Sequence, residues 1–256
     1  MLSGFGNAQV KPEGQGISFD QAQETFTARY THETMALAFA ITEEAIEDNL
    51  YDRLASRYTK ALARSMSNAK QVKAVTPLIQ GLPSTDNFDS GDAVSLFSTN
   101  HTTISGTAVK NTLTTQADLN ETSLEQALID IAGMTDERGL RVAARVMKMI
   151  IPSANQFTAE RLMKSPGRTG TADNDINAVV SMGMVPQGYR VNNFLTDTDS
   201  WYIITDVPNG MKMFTRAALK TAMEGDFDTG NVRYKARERY SFGVSDYRGI
   251  FGVEGA

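Results

Sequence analysis

The sequence predicts an α+β fold, and three observations carry that expectation. Met35, Leu37, Phe39 and Ile41 alternate with Ala36, Ala38 and Ala40, the period of two of a half-buried strand. From Thr42 to Val75 apolar residues then recur every three or four positions, with no Gly or Pro before Pro77, which is the pattern of one long amphipathic helix. The remainder mixes short helical and strand segments without an internal repeat or a regular strand–helix alternation, which argues against stacked βαβ units.

The first forty residues are rich in Thr, Gly and aromatic residues, and from Thr25 they read as an extended segment through Arg29, Tyr30 and Thr31. Gly16–Phe19 reads as a short partner strand, with a reversal near Asp20–Glu24, so that the segment makes a hairpin ending at Ile41. Thr42 is placed to cap the helix that follows, and Glu43, Glu44, Glu47 and Asp48 suit its positive end. Ile46, Leu50, Leu54, Tyr58, Ala61 or Leu62, Ser65, Ala69 and Val72 make its apolar stripe, while Arg53, Arg57, Lys60, Arg64, Lys70 and Lys73 fall later. At about 1.5 Å per residue such a helix is a rod of roughly 45 Å, a spine rather than an ordinary globular helix.

Residues 81–120, rich in Ser, Thr, Gly, Asn and Asp, read as loops and short strands, with His101 as a loop residue. Thr122 and Glu125 have capping-box spacing before an apolar face of Leu124, Ala127, Leu128 and Ile131 that ends near Gly133. Val142–Ile151 reads as a buried strand stopped by Pro152, and Thr158–Lys164 as a short helix. A possible helix around Asp175–Ser181 and strands at Tyr189–Phe194 and Trp201–Thr205 suggest a second lobe. Near the end, Val232, Tyr234, Ala236, Tyr240, Phe242 and Val244 alternate with Arg233, Lys235, Arg237, Arg239 and Ser241, a strand with one basic face.

Composition narrows the function. Hydrophobic residues at 41% and charged residues at 21% suit a globular chain, and no apolar run approaches the roughly 20 residues of a bilayer span. The absence of cysteine removes disulfides and thiolate zinc sites and suits synthesis in a reducing cytoplasm, and no secretory signal opens the sequence. A formal charge of −5 opposes strong nonspecific attraction to a polyanion. His32 and His101 stand in no His-Glu-x-x-His or nucleophile-elbow motif, so no catalytic residue, cofactor or metal site is expected. The segment from Asp173 begins like a calcium loop, but Ala178 stands in place of the required Gly and Met184 in place of the closing Glu. The segment from Asp226 fails likewise, with Arg237 at the twelfth position. Without a secretory signal, the glycosylation patterns at Asn100 and Asn120 have no use. The row Arg233, Lys235, Arg237 and Arg239 could touch DNA, pair with carboxylates of a neighbouring copy, or be solvated.

Several blocks resemble tailed-bacteriophage major capsid proteins: Arg29-Tyr30-Thr31-His32, Glu47-Asp48-Asn49, Gly170 to Ala178, Thr196-Asp197-Thr198-Asp199 before Trp201, Asp226-Phe227-Asp228-Thr229, Glu238 to Gly243, and Tyr247-Arg248-Gly249-Ile250. The resemblance implies a Hong-Kong-97-type capsid fold with an extended hairpin loop, a long spine helix, a peripheral domain and an axial domain. Mapped onto this chain, residues 1–13 are a residual N-terminal arm, shorter than relatives carry, as in a trimmed subunit. Residues 14–41 are the hairpin loop, 42–151 the peripheral domain with its spine at 42–75, 152–206 the axial domain, and 207–256 a return to the peripheral domain. The implied function is a non-enzymatic shell subunit that assembles with itself into hexamers and pentamers of an icosahedral phage head around double-stranded DNA. Portal, scaffold and decoration proteins would be its other partners, with DNA touched nonspecifically, no membrane, and the virion as its location after synthesis in the host cytoplasm. An encapsulin-like compartment around a cargo enzyme is the alternative. Arg29, Tyr30, His32, Met35, Arg233, Lys235, Arg237 and Arg239 are the candidate interface residues; the hairpin needs such a surface because two strands alone are marginal in water.

Overall fold

The computed structural model describes residues 1–48, 51–85, 88–168 and 175–256, with the side chains of 51–53 outside the description. Asn49, Leu50, the Arg53 side chain, and Gly170 to Asn174 of the resemblance block and the calcium-like segment therefore lie outside the described residues. Two compact units emerge: residues 1–29, 77–212 and 244–256 form one, and residues 30–76 and 213–243 the other.

The second unit is a long helix laid on a three-stranded sheet. Strand β1 (Glu33–Ile41) is followed by helix α1 (Glu43–Glu47), whose Thr42 cap accepts from the Ala45 amide. Helix α2 (Tyr51–Gln80) supplies the spine, 30 residues or roughly 45 Å. Strands β7 (Met211–Gly225) and β8 (Val232–Val244) form a long antiparallel hairpin, and the sheet order is β1-β8-β7. The hairpin expected within residues 14–41 is thus replaced: Gly16–Phe19 forms no strand, and β1 pairs antiparallel with β8 from Glu33 opposite Tyr240 to Ile41 opposite Val232. The physical reason is length. The alternating face of β1 needs a partner that continues the whole apolar row, and β8 supplies nine paired positions where Gly16–Phe19 offers four.

Leu62, Met66 and Ala236 are the buried core between helix and sheet, with Met35 and Phe39 packed against them. Leu62 of the expected stripe is buried, but Met66 and Val75 continue that buried line along α2, while Tyr58, Ser65 and Val72 stay exposed. Polar pairs extend that stripe along α2. Lys70 Nζ bonds Glu238 Oε2 at 2.9 Å and lies 5.1 Å from the centroid of the Tyr240 ring, and Lys73 Nζ bonds Glu33 Oε2 at 2.7 Å. Past Thr76 the helix continues through Pro77, which cannot donate to the Lys73 carbonyl; the Thr76 hydroxyl meanwhile bonds Val72 O at 3.0 Å. The units divide at this proline.

The first unit is built on a mixed sheet of order β5-β4-β6-β9. Strands β4 (Val146–Ile151) and β5 (Tyr189–Val191) run parallel, and β6 (Trp201–Thr205) runs antiparallel to β4 and to β9 (Ile250–Val253). Because β4 is hydrogen-bonded between β5 and β6, no boundary falls at residue 151, and residues 77–151 belong with 152–206 instead of with the spine. Trp201, Tyr202, Ile203, Ile250 and Phe251 are fully buried. Helix α3 (Glu121–Ala132) buries Leu124, Ala127, Leu128 and Ile131 as its periodicity predicts, but its cap is Asn120 with Ser123 as the reciprocal partner, not Thr122 with Glu125. The small strands β2 (His101–Thr102) and β3 (Ala108–Val109) pair with each other, and helices α4 (Gln156–Lys164) and α5 (Ala178–Ser181) complete the unit. Among the described residues, no helix is long and apolar enough to cross a membrane.

Candidate assembly surfaces

The N-terminal segment is a hairpin in its own right, and its reversal lies earlier than expected. Ser3 N donates to Gln23 O at 2.8 Å and Thr25 N to Met1 O at 3.0 Å, closing a stem between residues 1–3 and 23–25. The tip turns at Pro12–Gln15, where Gln15 N donates to Pro12 O and Gly14 takes φ +78. Residues 1–13, read from sequence as a residual arm, are one limb of this loop, and the Asp20–Glu24 reversal is not formed. Pro12-Glu13-Gly14 is the turn signal that could have placed it.

The loop is pinned to its own body near its middle. Asp20 accepts from Gly6 N at 2.7 Å, from Gln21 N at 2.8 Å and from Arg138 Nη2 at 2.8 Å, and Arg138 also donates to Gln21 O at 2.7 Å. Those backbone amides, Gly6 first, and the Arg138 charge hold the Asp20 carboxyl below its ordinary value. Beyond this clamp every residue from 7 to 20 is exposed, among them Val10, Ile17 and Phe19, the last at 96%. A loop that projects Val10, Ile17 and Phe19 into water is apolar surface left uncovered by the described residues.

At the loop's root lies a buried polar cluster. His101 is wholly buried, with Nδ1 2.6 Å from Asp92 Oδ2 and Nε2 3.1 Å from Asn111 Oδ1, and its ring stacks on Tyr247 at 3.9 Å. Asn111 Nδ2 donates to the Leu96, Tyr247 and Ile250 carbonyls, while its Oδ1 also accepts from Ser98 N at 2.9 Å. Asp92 Oδ1 accepts from Val94 N and from the Ser90 hydroxyl. Burial raises the Asp92 carboxyl, but the hydrogen bonds from His101 and Ser90 outweigh it and leave the group below its ordinary value. His101 is therefore a core residue on β2, not the loop residue that its Ser-Thr-rich surroundings suggest. On the far side of Tyr247, buried Arg248 donates to Glu137, Asp246 Oδ1 and Thr135 O.

The sheet of the other unit has a cationic outer face. Arg233, Lys235 and Arg237 of β8 are exposed there, opposite Ala40, Ala38 and Ala36 of β1. A Cβ on Gly243 would strike the Tyr30 ring, and Tyr30 packs edge-on to Phe214 with centroids 4.7 Å apart, so Phe214 shares the face of Gly243. Alternation then adds Arg216 and Lys220 of β7 to the face of Lys235 and Arg237. Sequence reading missed these two, because the weak alternation of residues 211–225 hides the strand. Among the described residues Arg233 pairs with Asp226, whereas Arg216, Lys220, Lys235 and Arg237 form no ion pair. Arg239 is half-buried with its Nε unpartnered. Of the other residues singled out from sequence, Met35 packs inward on the α2 core, Tyr30 covers Gly243, His32 is half-buried, and Arg29 is exposed.

A family model described as "Phage capsid protein" matches residues 24–253. The chain belongs to that family. This capsid protein also shares its fold with solved capsids. It matches the capsid of Myoviridae phage XM1 at TM-score 0.58 and 11% identity, covering 100% of this chain and 84% of that one. The capsid of a native GTA particle matches at TM-score 0.56 and 13% identity, with 100% and 84% covered, and Gordonia phage Cozz at 0.54 and 13%, with 100% and 80%. No curated protein matches the chain. The capsid protein has the Hong-Kong-97-type fold that its sequence blocks resemble, and as a member of this family it is a structural protein of a phage capsid, a component of the virion.

Proposed function

We propose that this capsid protein self-assembles into hexamers and pentamers of an icosahedral head around double-stranded DNA, with the N-terminal loop of each copy lying on its neighbour. The observation that carries the reading is the loop itself, clamped through Asp20 and Arg138 yet projecting Val10, Ile17 and Phe19 into solvent. Covering each of these side chains on an adjacent copy is worth about 1.5–3 kcal/mol, and a closed shell repeats that gain at every contact. In this reading the unit with the spine helix is the peripheral domain, and the sheet of β4, β5, β6 and β9 belongs to the axial domain. Arg216, Lys220, Lys235 and Arg237 pair with carboxylates of neighbouring copies. Arg29, Tyr30 and His32 lie between loop and sheet in the sequence, and Arg233 and Arg239 extend the basic row. Synthesis in the host cytoplasm, with portal, scaffold and decoration proteins as further partners, completes the picture.

The test is deletion of residues 7–19 with a short glycine bridge, which leaves the Asp20 clamp in place. Electron microscopy and sedimentation are expected to show soluble subunits and no shells of uniform diameter. Normal shells from the deleted chain would refute the loop's role. The double reversal Lys220→Glu/Lys235→Glu is expected to weaken assembly at low salt and to leave the subunit folded.

A further inference from the structure

We propose that Asp92 and His101 form a proton-operated latch on the root of the N-terminal loop, so that losing one proton loosens the loop; this rests on the assembly role given to that loop above. The argument begins with hydrogen-bond direction. Asn111 spends its amide protons on three carbonyls, so Asn111 Oδ1 faces His101 as an acceptor and Nε2 must carry a proton. The other ring nitrogen then sits 2.6 Å from a carboxylate oxygen, and that contact is favourable only if a second proton lies between Nδ1 and Oδ2. Remove it and the Nδ1 lone pair confronts Asp92 in a wholly buried site where water offers no substitute. Asp92 has no spare partner to turn toward, because its other oxygen already accepts from Ser90 and Val94.

The latch touches the loop at two places. Gly91, next to Asp92, has φ +96 and lies so close to Phe26, Thr27 and Ala28 that a Cβ there would be 3.2 Å from each. Phe26 in turn stacks on Tyr247 at 6.3 Å, the same ring that stacks on His101. A shift of Asp92 or of the imidazole therefore moves both surfaces that hold residues 26–28. The charged and titratable groups around the imidazole are Asp92 from its own loop, Tyr247 from the 3₁₀ turn Tyr247–Gly249, and, across that ring, Arg248 with its partners Glu137 and Asp246. Arg248 is thus neutralised locally, which leaves Asp92 as the carboxylate in contact with the ring.

Asp92→Asn separates a latch from a merely structural bond. An amide at position 92 can keep its oxygen toward Ser90 and Val94 and donate from nitrogen to the neutral Nδ1, which holds the root closed without the extra proton. The experiment is hydrogen exchange of the Ser3 and Thr25 amides in unassembled subunits, corrected for intrinsic rates, with tautomer-sensitive nitrogen NMR of His101, followed upward from about pH 5.5 until the spectrum records a neutral ring. In the unsubstituted protein, protection of both amides is expected to fall about tenfold or more in step with the fraction of rings that NMR records without the Nδ1 proton, the consequence of losing one buried charge-assisted bond. Asp92→Asn is expected to show the neutral ring throughout and constant protection. His101→Ala, which can never close the latch, is expected to have low protection at every pH, provided Trp201 fluorescence reports a folded unit. Unchanged protection while the ring loses its proton, or the same fall in Asp92→Asn, overturns the latch. Because the amides are read without assembly, failure of the loop to dock on neighbours would leave this result unaffected.

Discussion

Replacing Arg248 by Met should be among the most damaging single changes in the protein. The guanidinium is 2% exposed and donates to Glu137, to Asp246 Oδ1 at 3.3 Å and to Thr135 O at 2.9 Å. Met fills much of the volume but leaves two buried carboxylates, Glu137 and Asp246, without their cation. Breaking a buried pair in this way costs about 3–5 kcal/mol, mostly the penalty of the charge left behind. With a urea dependence of roughly 3 kcal/mol per molar, the unfolding midpoint should fall by about 1–1.7 M. Trp201 is the single tryptophan, buried in the same unit with its indole N–H on Ala117 O, so its fluorescence reports the transition directly. Adding Glu137→Gln should recover part of the loss by removing one stranded charge. A midpoint within about 0.3 M of the unsubstituted protein, or a double variant less stable than the single one, would refute the claim that the cation is required by its carboxylates.

Four further expectations follow from contacts elsewhere. Leu62→Ala should destabilise the packing of α2 on the sheet by about 2–5 kcal/mol, measured by chemical denaturation of the unassembled subunit. Gly252→Ala places a Cβ 2.6 Å from the Phe97 ring, which is wholly buried, and should cost about 1–3 kcal/mol and perturb the Phe97 resonances. Asn120→Ala removes the cap of α3 and should cost about 1 kcal/mol in the same assay, whereas Thr122→Ala should cost far less. Burial raises the Tyr247 hydroxyl, and the Glu137, Asp246 and Asp92 charges push the same way against Arg248, so the phenol stays neutral in the fold. Its contribution to stability is complete below about pH 10 and declines as pH rises from there toward the raised folded value; Tyr247→Phe should flatten that alkaline loss, read by Trp201 fluorescence against pH.

Legibility varied with how local the determining physics is. The α3 face, the Trp201–Thr205 strand and the Val232–Val244 strand were readable because periodicity alone declares them. The partner of β1 was not, since pairing joins residues some two hundred positions apart and any alternating segment could in principle supply the ladder. Glu238 shows the same limit: it occupies an inward position of β8, which a basic row and an acidic side chain do not advertise, and it is tolerated there only because Lys70 descends from α2 to meet it. Among the assembly surfaces, the β8 cations were visible as a row, but Arg216 and Lys220 joined them only once Tyr30 had fixed which face of β7 is outward.

What the sequence determined by itself was the mixed class, the spine helix, the family and the absence of cysteine chemistry, all properties of short windows or ordered blocks. Tertiary structure alone decided that the N-terminal segment folds on itself at Pro12–Gln15, that β1 belongs to a distant strand, and that His101 lies in the core between Asp92 and Asn111. The reason is the same in each case. Alternation and turn chemistry fix what a segment can become, whereas the choice of partner depends on which distant surface covers its apolar face and satisfies its buried polar atoms.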